Sequence, residues 1–153
     1  MDRFAKGFPN VMAMLCAGGS GRVDYGAMPY FHSFWPSDNT DPLGRIKIQW
    51  GFSHFFPANT ISAHVTRMGK RHLKMAIDVA LSSAFGIDLA LDKATAEERA
   101  QIADAVKLYK ERIRPLVMHG ELYRLVSPYE SPLASLSYVS TDKQKAVVYF
   151  YQT

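Results

Sequence analysis

Cysteine is almost absent from this chain of 153 residues, because Cys16 is the single one. One thiol cannot form an internal disulfide bond, and it leaves the redox compartment open. Long apolar runs are lacking as well: no window approaches the ~18 consecutive apolar residues of a membrane span, so we expect no membrane partner. The first residues have no signal-peptide pattern, and we expect a cytoplasmic location.

Several binding and catalytic signatures are missing too. The five histidines include no pair four residues apart around a glutamate, so the sequence predicts no metal site, and we expect no other cofactor. Gly18, Gly19 and Gly21 match neither a phosphate-binding loop nor a dinucleotide fingerprint, and they do not form a nucleophile elbow. The net charge of +4 is spread over dispersed basic residues, which argues against a nucleic-acid partner.

Two kinds of pattern follow each other along the chain. The first part alternates apolar runs with helical periodicity, which predicts a parallel sheet of βα units. Its strands are expected at 11–15, 31–36, 61–65 and 86–91, and its helices at 42–54, 71–83 and from a capping box at Thr95 and Glu98 onward. Pro115 is expected to disrupt the end of the last helix. Strands at 121–126, 134–140 and 144–151 then predict a domain boundary at about residue 120.

A dense group of small polar and acidic residues at 35–41 separates an aromatic strand from an amphipathic helix. In α/β proteins, such a junction is a common place for active-site residues. Asp41 followed by Pro42 is also a good helix start, so part of this polarity serves as a helix cap. Asp38 lies before the cap, and the pattern alone leaves a turn-forming role and a functional role equally open.

Five short motifs, taken in their order along the chain, resemble those of a known enzyme family. They are Cys-x-x-Gly-x-x-Arg-Val-Asp at 16–24, Trp-x-Ser-Asp-Asn-Thr-Asp at 35–41, Arg-Ile-x-Ile-Gln-x-Gly at 45–51, Gly-Ile-Asp-Leu at 86–89 and Ile-Arg-Pro-Leu at 113–116. This ordered set resembles the α-galactosidases of glycoside hydrolase family 36. The resemblance implies an α/β fold: the C-terminal half of a TIM (β/α)8 barrel over residues 1–119, then the start of an antiparallel β-domain over 120–153.

The resemblance also implies an activity, the hydrolysis of terminal α-galactosides in oligosaccharides with retention of the anomeric configuration. It further implies that the intact protein, of which this chain would be a fragment, is a homo-oligomer. It makes Asp38 the general acid/base. It makes the following residues substrate-binding: Cys16, Gly18, Gly19, Trp35 and His64. A retaining glycosidase needs two carboxyls about 5–5.5 Å apart. The family's nucleophile segment, of the type Lys-aromatic-Asp-x-Asn, matches nothing in this sequence, so we expect a fragment that is inactive by itself.

Several alternatives stay open from the residues. Cys16 on an apolar run also fits a buried small side chain. His64 fits a place behind the sugar-contacting residues as well as a contact with the sugar. Asp24 is expected to pair with Arg22 or Arg45 and fix the glycine loop. The alternative function is a non-catalytic truncated chain that at most binds sugar or self-associates through open strand edges.

Overall fold

The computed structural model describes residues 1–16 and 21–153, and it combines seven strands and five α-helices within those ranges. The strands are β1 (Met14–Leu15), β2 (Ser33–Phe34), β3 (Ser62–Val65), β4 (Ala84–Ile87), β5 (Glu121–Val126), β6 (Leu133–Val139) and β7 (Ala146–Gln152). The α-helices are α1 (Asp2–Gly7), α2 (Pro42–Phe52), α3 (Leu73–Ala80), α4 (Ala96–Leu108) and α5 (Arg114–His119). None of the helices in the described ranges is long and apolar enough to cross a membrane.

The first four strands are parallel neighbours in chain order. Leu15 of β1 lies opposite Phe34 of β2, and His64 of β3 lies opposite Gly86 of β4. A single parallel bridge between Phe34 and Ile61 joins the two pairs. The carboxyl ends of all four strands therefore lie at the same end of the row, which is where ligands bind in parallel α/β sheets.

The last three strands form an antiparallel sheet in the order β5-β6-β7. One face of this sheet packs on the end of α3 through three buried tyrosines. Tyr138 donates its hydroxyl proton to the Ser82 carbonyl at 2.6 Å, Tyr149 donates to Leu81 O at 3.0 Å, and Tyr151 donates to Asp78 O at 3.2 Å. Asp78 lies in the last turn of α3, and Leu81 and Ser82 directly follow its last residue, so these hydroxyls satisfy carbonyls at and just beyond the end of the helix. Burial raises the pKa of each of these phenols, which keeps the proton available for donation.

The hydrophobic core runs through both parts of the chain. One cluster of buried side chains includes Ile46 and Trp50 of α2 together with Leu136 and Tyr138 of β6. The domain boundary at about residue 120 stays a prediction, and apolar packing is continuous across that position.

The order of strands and helices predicted from the sequence is confirmed. Their bounds differ in places: β1 covers Met14–Leu15 of the predicted 11–15, and β4 lies at Ala84–Ile87 instead of 86–91. One helix also ends differently. Pro115 does not end the helix that starts at the capping box of Thr95 and Glu98. Instead, α4 runs through a π-helical stretch, Tyr109–Ile113, into α5. Pro115 lies in the first turn of α5, where the missing N–H breaks no hydrogen bond of that helix.

Candidate active site

Asp38 lies on the loop between β2 and α2, and its side chain is exposed. Trp35 Nε1 donates a hydrogen bond to Asp38 Oδ1 at 2.9 Å. The loop itself is tightly tied: Asn39 N donates to Ser37 Oγ at 3.1 Å, and Asp41 N donates to Asn39 Oδ1 at 3.0 Å. One carboxylate oxygen of Asp38 is therefore held in place, while the side chain stays accessible to a ligand.

The start of α2 follows the predicted capping pattern. Asp41 Oδ2 accepts a hydrogen bond from Gly44 N at 3.3 Å, and Pro42 takes the first helical position. The prediction that Asp41 is the N-cap is confirmed. Capping thus accounts for Asp41 and leaves Asp38 outside the helix start.

His64 lies on β3 beside the indole of Trp35, with the two ring centroids 4.7 Å apart. A Cβ at Gly86 would lie 2.5 Å from His64 Cδ2, so glycine at this position on β4 leaves room for the imidazole. Burial lowers the pKa of His64, Asp88 raises it and the nearby charge of Arg45 lowers it, with burial the largest of the three causes. These causes together favour a neutral imidazole at pH 7.

A second loop, between β3 and α3, packs against the Asp38 loop. Thr40 Oγ1 and Thr66 Oγ1 share a hydrogen bond of 2.7 Å, and Thr40 N donates to the Met68 sulfur at 3.2 Å. Gly69 in the same loop has a φ of +76° and lies directly against the Asp41 carboxylate. The loops that follow β2 and β3 are therefore held together at the same end of the sheet.

Substitution of Gly69 by alanine is expected to destabilise the protein. Its Cβ would overlap the Asp41 carboxylate, and the positive φ strains any L side chain. Such backbone strain costs about 1–3 kcal/mol, and the overlap also disturbs the N-cap of α2. The measurement is the free energy of unfolding in urea. Gly7→Ala is the matched control, since a Cβ there meets nothing within 4 Å, and equal effects of the two substitutions would contradict the prediction.

The expected pairing of Asp24 is wrong. Asp24 Oδ1 accepts a hydrogen bond from Ala27 N at 2.7 Å and so closes a local turn. Arg45 donates instead to the carbonyl oxygens of Ser37 and Ser62, and Arg22 forms no ion pair with Asp24 within the described ranges. The short side chain of Asp24 reaches a backbone N–H three residues on, a local bond that Asp side chains commonly make in turns.

The structure brings three of the residues that the sequence singled out, Trp35, Asp38 and His64, into one contact chain. Cys16 lies at the adjoining strand end, where Trp35 N donates to Leu15 O at 2.9 Å. Cys16 is exposed, so the alternative of a buried small side chain does not hold. Gly18 and Gly19 lie outside the described residues.

Arg45, Gly86 and Asp88 stand in the motifs quoted above, but the sequence predicted no role for them in this cluster. Asp88 falls inside the strand predicted at 86–91, whereas in the structure it directly follows β4. Arg45 carried a weak signal, a cation next to Ile46 on a helix that buries Trp50. The role of Gly86 depends on its pairing with His64 across two strands, which spacing along the chain does not reveal.

A family sequence model described as Melibiase matches residues 1–120. The α-galactosidase AgaA of Geobacillus stearothermophilus is 37% identical over an alignment of 158 positions, which covers 99% of this chain and 22% of that protein. The probable α-galactosidase G of Aspergillus terreus is 33% identical over an alignment of the same length, with the same coverage. This chain therefore spans about a fifth of the length of these relatives.

Solved structures of similar proteins superpose on nearly the whole chain. The glycoside hydrolase family 36 α-galactosidase AgaB from Geobacillus stearothermophilus matches with a TM-score of 0.93 at 38% identity. A variant of AgaA from the same organism, in complex with raffinose, matches with a TM-score of 0.94 at 35% identity. Each match covers 99% of this chain and 22% of the solved one.

Proposed function

Because this chain belongs to the Melibiase family, we propose that it supplies the general acid/base and one wall of the sugar pocket to an α-galactosidase. The enzyme hydrolyses terminal α-galactosides of oligosaccharides such as raffinose and retains the anomeric configuration. One observation carries the proposal: Asp38 is an exposed carboxylate that Trp35 holds by a 2.9 Å hydrogen bond, at the carboxyl end of a parallel strand row.

The contacts of Asp38 suit proton transfer to a leaving group. Trp35 Nε1 occupies Oδ1, so Oδ2 is left to face the glycosidic oxygen. In the first step Asp38 donates a proton to that oxygen, and in the second it takes a proton from the attacking water. The indole of Trp35, with His64 against it, forms a flat wall beside the sugar ring.

Residues 16–19 complete this half of the pocket in the proposal. Cys16 lies at the end of β1, next to the strand that leads to Trp35, and faces the sugar hydroxyls. Gly18 and Gly19 allow the backbone to approach the galactose ring closely, because no side chain intervenes.

The second carboxyl, the nucleophile, is proposed to lie on another segment of a longer polypeptide. A retaining mechanism requires it about 5–5.5 Å from the acid/base carboxyl. Residues 1–119 would then be half of a (β/α)8 barrel and residues 120–153 the start of a β-domain. Four parallel strands in chain order, with their carboxyl ends together, support that assignment.

A non-catalytic chain that self-associates is the second candidate. Large apolar side chains near the amino end are exposed, including Phe4 at 41%, Phe8 at 57% and Met12 at 80%. Exposed apolar patches of this kind mark surfaces that another polypeptide covers.

A chimera tests the proposed activity: residues 1–153 replace the matching fifth of AgaA. We expect it to hydrolyse p-nitrophenyl α-galactoside and raffinose, with release of galactose, and to leave p-nitrophenyl α-glucoside intact. Asp104→Asn, an exposed carboxylate on α4, is the control and should leave both rates unchanged. A folded chimera without galactosidase turnover, assayed beside active AgaA, would contradict the proposal.

A further inference from the structure

Arg45 is a buried cation directly beneath the Asp38 loop. It lies in the first turn of α2, and only 2% of its surface is exposed. Burial lowers the pKa of Arg45 to about 10, so the guanidinium keeps its charge at neutral pH. Burying a charged group is unfavourable unless its N–H groups find acceptors, so the partners of this side chain matter.

The partners of Arg45 are neutral oxygens on three different elements. Nη1 donates to the Ser37 carbonyl at 3.3 Å, Nη2 donates to the Ser62 carbonyl at the start of β3, and Nε donates to Gln49 Oε1 at 3.2 Å. Gln49 is itself fixed, because its amide donates to Val79 O at 3.1 Å. The guanidinium therefore ties the Asp38 loop to β3 and, through Gln49, to α3.

Both groups that set the position of Asp38 contact this guanidinium. Ser37, whose carbonyl accepts from Arg45, directly precedes Asp38 in the chain. Trp35, whose Nε1 holds the Asp38 carboxylate, has its ring centroid 5.2 Å from the Arg45 guanidinium carbon. The Arg45 side chain thus fixes both the backbone directly before Asp38 and the indole that orients the Asp38 carboxylate.

We propose that Arg45 is a positioning residue for the acid/base step: it aims Asp38 at the leaving-group oxygen without touching the substrate. The inference rests on the function proposed above, since it concerns the aim of Asp38. A planar guanidinium can stack on an indole and serve several acceptors at once, which a lysine ammonium cannot do. A lysine at this position would keep the positive charge but would not hold Asp38 in its orientation.

The test compares two substrates in the active chimera. Arg45→Lys is expected to lower kcat/KM for raffinose by about 10²-fold, the loss that a misplacement of about 1 Å can produce. The kcat/KM for p-nitrophenyl α-galactoside should fall much less, because a nitrophenolate departs with little proton assistance. The ratio of the two constants is the readout, since a smaller fraction of folded enzyme lowers both constants equally. Lys47→Ala, an exposed residue of the same helix, should leave the ratio unchanged.

Equal losses on both substrates would make Arg45 a residue of stability alone and overturn the inference. Arg45→Met removes the buried charge as well as the aim, so it is the second variant should Arg45→Lys not fold. Failure of both variants to fold would also overturn the inference. Asp38→Asn in the same chimera separates the two proposals: if it leaves the ratio unchanged the proposed function fails, and if it changes the ratio while Arg45→Lys does not, only the role of Arg45 fails.

Discussion

Replacement of Asp38 by alanine in the chimera is expected to lower kcat/KM for raffinose by about 10³-fold, within the range that a general acid contributes. The loss on p-nitrophenyl α-galactoside should be far smaller, because its leaving group needs little protonation. The measurement is the pair of rate constants on the two substrates. Asp104→Asn again serves as the control for a change of charge away from the loop.

Azide gives the same variant a second readout. Without a base to activate water, the galactosyl-enzyme intermediate should accumulate, and azide attacks it without help from a base. We expect partial recovery of the rate on the aryl substrate, with α-galactosyl azide as the product after two inversions. Equal losses on both substrates without recovery in azide would make Asp38 a structural or nucleophilic residue.

The chain of 153 residues by itself is expected to have no measurable turnover of p-nitrophenyl α-galactoside. The proposed mechanism assigns it one carboxyl of the two that a retaining glycosidase needs. The assay compares the chain with the chimera at equal concentration, and circular dichroism checks that the chain is folded. Turnover like that of the chimera, lost in Asp38→Asn, would show that another carboxylate of this chain serves as the nucleophile.

Features that depend on neighbouring residues could be predicted from the sequence. The capping box of Thr95 and Glu98 and the N-cap at Asp41 both formed as expected, since each depends on a side chain reaching a backbone group three residues away. The fourth strand could not be placed as well. An apolar run favoured 86–91, but pairing with β3 sets the strand at Ala84–Ile87.

In the candidate site too, some residues could be predicted from the sequence and others could not. The resemblance pointed to Asp38, Trp35 and His64, and the structure brings their side chains into contact. Their support could not be predicted, because Arg45 reaches the Ser62 carbonyl across 17 positions of sequence and Thr40 meets Thr66 across 26. Such contacts follow from the packing of helices on strands, and residue spacing carries no trace of them.

The three tyrosine hydroxyls on the end of α3 limit how this protein could exchange parts with its relatives. A recombination event with a crossover near residue 120 would combine α3 of this protein with the antiparallel sheet of a relative. Unless that sheet carried hydroxyls at the positions of Tyr138, Tyr149 and Tyr151, the carbonyls of Ser82, Leu81 and Asp78 would lose their donors. The bonds to Ser82 and Leu81 are buried, and each buried acceptor left unsatisfied costs about 1–3 kcal/mol. Helix and sheet are therefore expected to be inherited together, and viable hybrids to have crossovers upstream of α3 or beyond β7.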